Sequence, residues 1–193
     1  MKKNLLLASL LLAGLTGISQ TINSVNIATV GDTIFNAEDV APSISISTPG
    51  TGKTWNYSGL LTNNLDTLAF FSVGSTPTGS SFPTATMSIM EDTNFVYLRN
   101  SSSKLEAIGL SNGTTNVPAD DPETILTFPT SYGTSFNDMN RIETEVSGAE
   151  AGQPLADSVR AISVSQITSS IDASGQLTTP YGTFTALRQN LRR

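Results

Sequence analysis

The stretch STPGTGKTW, from Ser47 to Trp55, sets two glycines ahead of a Lys-Thr pair, the residue types of a phosphate-binding loop. Such a loop needs G-x-x-x-x-G-K-[ST] between a buried strand and a helix, because backbone N–H groups and the helix N-terminus cradle the phosphates. Here Ser47 stands where the first glycine belongs. The preceding SISIS alternates polar and apolar residues as a half-solvated antiparallel strand does, and the following WNYSGLL carries no helical stripe. No apolar run ends in a magnesium-binding Asp. The expectation is a glycine turn leading into a Trp-bearing strand, with no nucleotide bound.

Three other groupings carry chemical potential. Glu143 and Glu145 alternate with Ile142, Thr144 and Val146, so both carboxylates share one strand face about 6.7 Å apart by strand rise. That separation suits the paired carboxylates of a glycoside hydrolase, whereas Arg141 on the same face suits a solvated charge ladder. Asp120, Asp121 and Glu123 lie in a Pro-flanked stretch read as an acidic loop, with oxygen ligands of the kind that hold Ca²⁺ but without the spacing of a calcium loop. Trp55, the only tryptophan, shares a strand face with Tyr57. An exposed aromatic pair would stack on sugar rings; a buried Trp would anchor a core, and the core reading is preferred.

Composition removes several classes of chemistry. The chain has no cysteine and no histidine, which excludes thiol nucleophiles, His-dependent triads, zinc sites of the usual ligand types and a disulfide framework. There is also no G-x-S-x-G elbow for a serine nucleophile. No catalytic, cofactor-binding or metal-ligating residue is therefore assigned, and no cofactor is expected.

The elements that must position these residues begin after a leader. Residues 1–19 place Lys2 and Lys3 before an apolar run from Leu5 to Leu15 and end in small residues, the pattern of a secretory signal peptide cut before Gln20. No other stretch is apolar enough to span a membrane. Residues 20–193 form one expected domain. Two of the 10 basic residues lie in the leader, leaving 8 against 16 acids, a net charge of −8. Such a surface repels nucleic acid and anionic membranes.

Short period-two runs recur: VNIATV, SISIS, LAFFSV, TMSIM, FVYLR, LEAIGL, ILTF, RIETEV, VRAISVSQI and FTALR. Between them lie clusters of Gly, Pro, Asn, Asp and Ser. About ten strands at this spacing predict an all-β domain, a single antiparallel β-sandwich of jelly-roll type. DASG, from Asp172 to Gly175, reads as a hairpin turn. The serine-rich loop Gly74–Pro83 and the acidic loop Ser111–Pro122 are the longest irregular pieces, where binding is expected. Asn56, Asn100 and Asn112 match the N-glycosylation pattern.

Three segments, PGTGKTWNYSGL, TFPTSYGTSFND and IDASGQLTTPYGTFTALR, together resemble a module found at the start of secreted proteins of Bacteroidota, many of them exported by the type IX route. The resembling positions are Gly50, Gly52 and Trp55; Pro129, Tyr132 and Gly133; and Asp172, Gly175, Leu177, Pro180, Gly182, Phe184, Leu187 and Arg188. The resemblance implies a β-sandwich of unassigned activity and supplies no catalytic residues. The family pattern normally continues through further strands after Leu187 and Arg188. Ending at Arg193, the sequence implies a domain truncated at its C-terminus or one relying on ordinary export. Thr33, Thr67 and Ser158, each after an Asp and before an apolar residue, resemble O-glycosylation acceptors of exported Bacteroidota proteins.

The expected function is that of a secreted or cell-surface, non-catalytic module with a structural, adhesive or glycan-binding role. Its expected partners are an extracellular glycan or a surface protein. The alternative is a carboxylate-based glycan hydrolase using Glu143, Glu145 or the acidic loop, which requires a partly buried carboxyl with a raised pKa.

Overall fold

The computed structural model describes residues 20–193 apart from Asp92, Glu150 and the side chain of Glu91, so the leader lies outside the described residues. Among the described residues there is no α-helix. Ten strands form one sheet: β1 (Thr33–Glu38), β2 (Gly50–Asn56), β3 (Asn64–Phe71), β4 (Met87–Glu91), β5 (Asn94–Asn100), β6 (Lys104–Ser111), β7 (Asn116–Thr127), β8 (Ser135–Ser147), β9 (Ser158–Thr179) and β10 (Gly182–Arg192). The order is β1-β3-β4-β5-β6-β7-β8-β9-β10, open at both ends. All neighbours on this path are antiparallel, and β2 alone lies parallel to its partner, β9. β8 flanks Ser158–Ser170 of β9, and β2 flanks Ala173–Thr178 beyond it.

The core follows the strand alternation. Phe70, Met87, Leu98 and Leu105 form a buried cluster on one face, with Ile27, Leu68, Ile125 and Phe128 packed against it. Tyr97, adjacent to Leu98, points to the opposite face and packs with Phe82 and Ile108. The Phe82 ring stacks on Tyr97 with centroids 3.9 Å apart. The Tyr97 hydroxyl is shared with Thr76 Oγ1 at 2.7 Å and Thr78 Oγ1 at 2.9 Å. Phe82, Thr76 and Thr78 come from the serine-rich stretch Gly74–Pro83 or its neighbours. That stretch is therefore a cover over the sheet held by a buried aromatic, not the open binding loop its composition predicts.

Glu106, on β6 between Leu105 and Ala107, is buried at 2% exposure. Its carboxylate receives Arg99 Nε at 2.7 Å and Lys104 Nζ at 2.5 Å, and its strand neighbours are Arg99 on β5 and Thr124 on β7.

The acidic loop is likewise corrected: Asn116–Thr127 is strand β7. Its ends pair with β6, while Ala119 and Asp121 turn to β8. The leaf β1-β3-β4-β5-β6 and the leaf β8-β9-β10 with β2 thus share β7. Beyond Asp121 the backbone pairing of β7 returns to β6, while the Thr124 N–H donates to Asp138 Oδ2 of β8 at 2.6 Å and Gln189 Nε2 of β10 reaches the Ile125 carbonyl at 3.0 Å and Ser169 Oγ at 2.9 Å.

Two expected strands are not built. Within VNIATV, Ser24–Asn26 is a short 3₁₀ turn, and SISIS runs outside the sheet. The DASG hairpin is also corrected, because β9 runs straight through Asp172–Gly175 and the chain reverses at Pro180 and Tyr181, with Thr179 opposite Gly182. Gly175 serves close approach instead of a turn: a Cβ there would lie 1.9 Å from the Lys53 carbonyl oxygen of β2. Asp172 is the extra residue of a β-bulge, opposite the step from Arg188 to Gln189.

Candidate functional site: the groove beside Trp55

Gly50 and Gly52 adopt φ of +132° and +64°, values that favour glycine, and they place the one-residue register shift at the start of β2. Lys53 and Thr54 follow as strand residues paired to Gly175 and Gln176. Among the described residues no helix N-terminus faces the glycines, so the phosphate cradle is not assembled there. Lys53 Nζ lies 3.3 Å from Thr48 Oγ1.

Trp55 is a buried anchor, 6% exposed. Its indole N–H donates to Ser47 Oγ at 2.8 Å, and the Ser47 carbonyl accepts Arg188 Nη1 at 2.7 Å. Arg188 grips Asp172 with two contacts, Nε to Oδ1 at 2.7 Å and Nη2 to Oδ2 at 3.1 Å. Asn190 Nδ2 adds a third donor to that carboxylate at 3.3 Å. The Arg188 guanidinium holds the Asp172 carboxyl below the usual carboxylate range against the opposing effect of burial, and Asn190 assists. This chain of contacts ties Ser47 to β2, β9 and β10 at once.

Ser47 forms one end of a groove of about 510 Å³ between the stretch 39–47 and residues 54–61. Asp39 secures the other end, its Oδ1 accepting the Ala41 N–H at 3.0 Å and its Oδ2 the Leu61 N–H at 2.9 Å. Ser43, Ser45, Thr54 and Asn56 are its polar lining residues, and buried Trp55 and half-buried Tyr57 its aromatic ones. The Tyr57 N–H donates to the Thr178 carbonyl at 2.7 Å, fixing its backbone to β9. Of the aromatic pair, Trp55 is buried as an anchor while also lining the groove beside Tyr57, which is the more exposed of the two.

Three of the carboxylates singled out by spacing, Glu143, Asp120 and Glu123, are held in ion pairs. Glu143 pairs with both Arg141 and Arg160, and these partners, Arg160 foremost, hold its carboxyl below the usual range. Glu145 accepts the Ser158 hydroxyl at 2.5 Å. Asp120 pairs with Arg141, and Glu123 with Arg193. Among the described residues no three acidic side chains gather as a metal site, and no helix is long and apolar enough to cross a membrane.

Thr33 and Thr67 are exposed on the adjacent strands β1 and β3, and Ser158 is exposed at the start of β9. Asn56 lines the groove, Asn100 Nδ2 is bound to the Ser24 carbonyl at 2.9 Å, and Asn112 Oδ1 receives the Thr115 N–H at 2.7 Å.

Sequence reasoning located Trp55 and Tyr57 but missed Asp39 and Ser47, which fix the groove's second wall. It also missed the pairing of Asp172 with Arg188. A signal for that pair existed, since the two residues stand nearly equidistant from the Pro180–Tyr181 turn and hairpin pairing brings such positions together. Compared with known protein families, curated proteins and solved structures, the chain shows no match.

Proposed function

We propose that this chain is an exported module of the Bacteroidota type whose duty at the cell surface or outside the cell is structural, adhesive or glycan-binding and non-catalytic. The observation that carries the reading is the state of Glu143. A glycosidase acid must keep its proton near neutrality through a raised pKa, whereas Glu143 sits between two arginines that lower it. The segments bearing the family resemblance also converge. The Gly133 N–H donates to the Ile171 carbonyl at 2.9 Å and the Ile171 N–H to the Thr134 carbonyl at 2.8 Å, one residue from the Asp172–Arg188–Ser47–Trp55 chain. We read the two leaves sharing β7 as the layers of a sandwich, a reading supported by Gln189 reaching across to Ile125.

The test is expression of the full chain in a Bacteroidota host, followed by fractionation and intact-mass analysis of the exported form. Loss of residues 1–19 and recovery outside the cytoplasm are expected. Uncleaved protein retained in the cytoplasm overturns the export reading. Release of sugar from a polysaccharide that is abolished by Glu143→Gln overturns the non-catalytic one.

A further inference from the structure

We propose that the groove beside Trp55 binds a neutral glycan, with one sugar ring against Tyr57 and its hydroxyls met by Thr54, Asn56 and Ser45. This inference rests on the reading of the chain as an exported binding module and names the site and ligand class that such a module would use.

Size is the first argument. About 510 Å³ falls within the range of small-ligand clefts, with room for one or two sugar rings. Charge is the second, and it selects among ligand classes. Among the described residues no Lys or Arg lines the groove, and Arg188, which reaches Ser47 at its end, is engaged by Asp172, so an anionic ligand would meet no free counter-charge. Among the described residues Asp39 is the only carboxylate lining the groove, and each of its oxygens already accepts a backbone N–H, which leaves little for a cation. What remains is the hydroxyls of Ser43, Ser45 and Thr54, able both to donate and to accept, and the Asn56 amide, whose Oδ1 accepts the Ser58 N–H at 3.1 Å and whose Nδ2 can donate, beside apolar surface from Ile44, Leu60 and Tyr57. A pyranose presents the matching pair of surfaces, with hydroxyls at its rim and C–H groups on its faces. Charge also acts at long range, because a net −8 for residues 20–193 disfavours approach of an anionic polysaccharide.

Preorganisation is the third argument. The wall formed by residues 39–47 belongs to no strand, yet it is fastened at Asp39 to Leu61 and at Ser47 to Trp55 and Arg188. The opposite wall is fixed by the Tyr57 backbone bond to Thr178. A cleft fastened at both ends loses little conformational freedom on binding, which favours affinity.

The experiment is affinity electrophoresis of the exported chain in gels containing laminarin, xyloglucan, mannan or arabinoxylan, with polygalacturonate as the anionic control. Wild type, Tyr57→Ala and Ser45→Arg are compared. Ser45 is exposed on the groove wall, so its substitution fills the groove without entering the core and serves where Tyr57→Ala disturbs folding. The expected result is retardation of wild type by at least one neutral polysaccharide. Each variant should weaken it about tenfold or more, as truncating or blocking a central contact does, with Trp55 emission and melting temperature of Ser45→Arg unchanged. Three results overturn the proposal: no retardation by any neutral polysaccharide, retardation unaffected by Ser45→Arg, or preferential binding of polygalacturonate. Leader cleavage and fractionation decide the export reading separately, so failure of the groove leaves that reading standing.

Discussion

Replacing Glu106 tests whether the chain tolerates a carboxylate in its core only because two cations meet it there. At 2% exposure the carboxylate has lost its water, and desolvation pushes its pKa upward; hydrogen bonds and charge from Arg99 and Lys104 outweigh that push and hold it below the ordinary range. Removing one member of a buried ion pair costs about 3–5 kcal/mol when the survivor stays buried. Here the survivors can return to water, since the side chains of Arg99 and Lys104 are 35% and 43% exposed. The cost of Glu106→Ala at pH 7 is therefore discounted to about 2–3 kcal/mol, and Glu106→Gln, which keeps the shape, should cost about 1–2 kcal/mol. The sign of the pH dependence follows from the lowered pKa. The carboxylate's contribution is fully present above the unfolded Glu value of about 4.3 and is lost as pH falls through the lower native value. Urea unfolding of wild type and both variants, followed by Trp55 emission and circular dichroism at pH 7 and near pH 3, should show a stability gap that narrows in acid. Equal stability of wild type and Glu106→Ala at pH 7, or a gap that widens in acid, refutes the reasoning.

Three further outcomes are expected. Phe82→Ala removes a ring that is 2% exposed and stacked on Tyr97; it should cost about 3–4 kcal/mol in urea unfolding and make the 72–86 segment newly sensitive to limited proteolysis. Gly175→Val puts a side chain where even a Cβ would meet the Lys53 carbonyl at 1.9 Å. Detachment of β2 should shift Trp55 emission to the red at temperatures where wild type is native, and lower stability by about 2 kcal/mol or more. Asp172→Asn leaves Arg188 without its ionised partner and should destabilise by about 1.5–3 kcal/mol at neutral pH. Because the Asp172 pKa is lowered in the native state, that loss is full above about pH 4 and fades as pH falls further, which a pH series of thermal melts will register.

Legibility of the fold in the sequence depended on how many faces of a strand meet water. β3, β4, β5, β8, β9 and β10 each contain a period-two run that reads as a strand. β1 carries no strand signal because all six of its residues are exposed, so no apolar side alternates with a polar one. β6 was recognised as a strand, yet the burial of Glu106 was hidden because Leu105, Glu106 and Ile108 are all buried and a charge in an alternating run reads as solvent-facing. The first part of β7, up to Pro122, reads as a loop because Pro118 and Pro122 argue against a central strand, whereas its end, within ILTF, reads as a strand. The prolines are tolerated where the strand changes partners, with Pro118 opposite Gly109 of β6 and Ala119 already opposite Ile142 of β8. No propensity rule anticipates a strand whose hydrogen-bonding partner changes midway.

The same limit governs the chemistry. Spacing along β8 correctly puts Glu143 and Glu145 on one face, but the acid and base of a hydrolase need environments that push their pKa values apart. Those environments come from across the sheet. In the β8–β9 register Glu145 lies opposite Arg160 and Glu143 opposite Ile162, so the Arg160 side chain that pairs with Glu143 crosses diagonally from the neighbouring strand. Together with Arg141 it fixes Glu143 as an anion, the state in which a carboxylate cannot donate the proton a glycosidic oxygen requires. Periodicity gives a side chain its face; strand register, set by residues distant in sequence, gives it its protonation state.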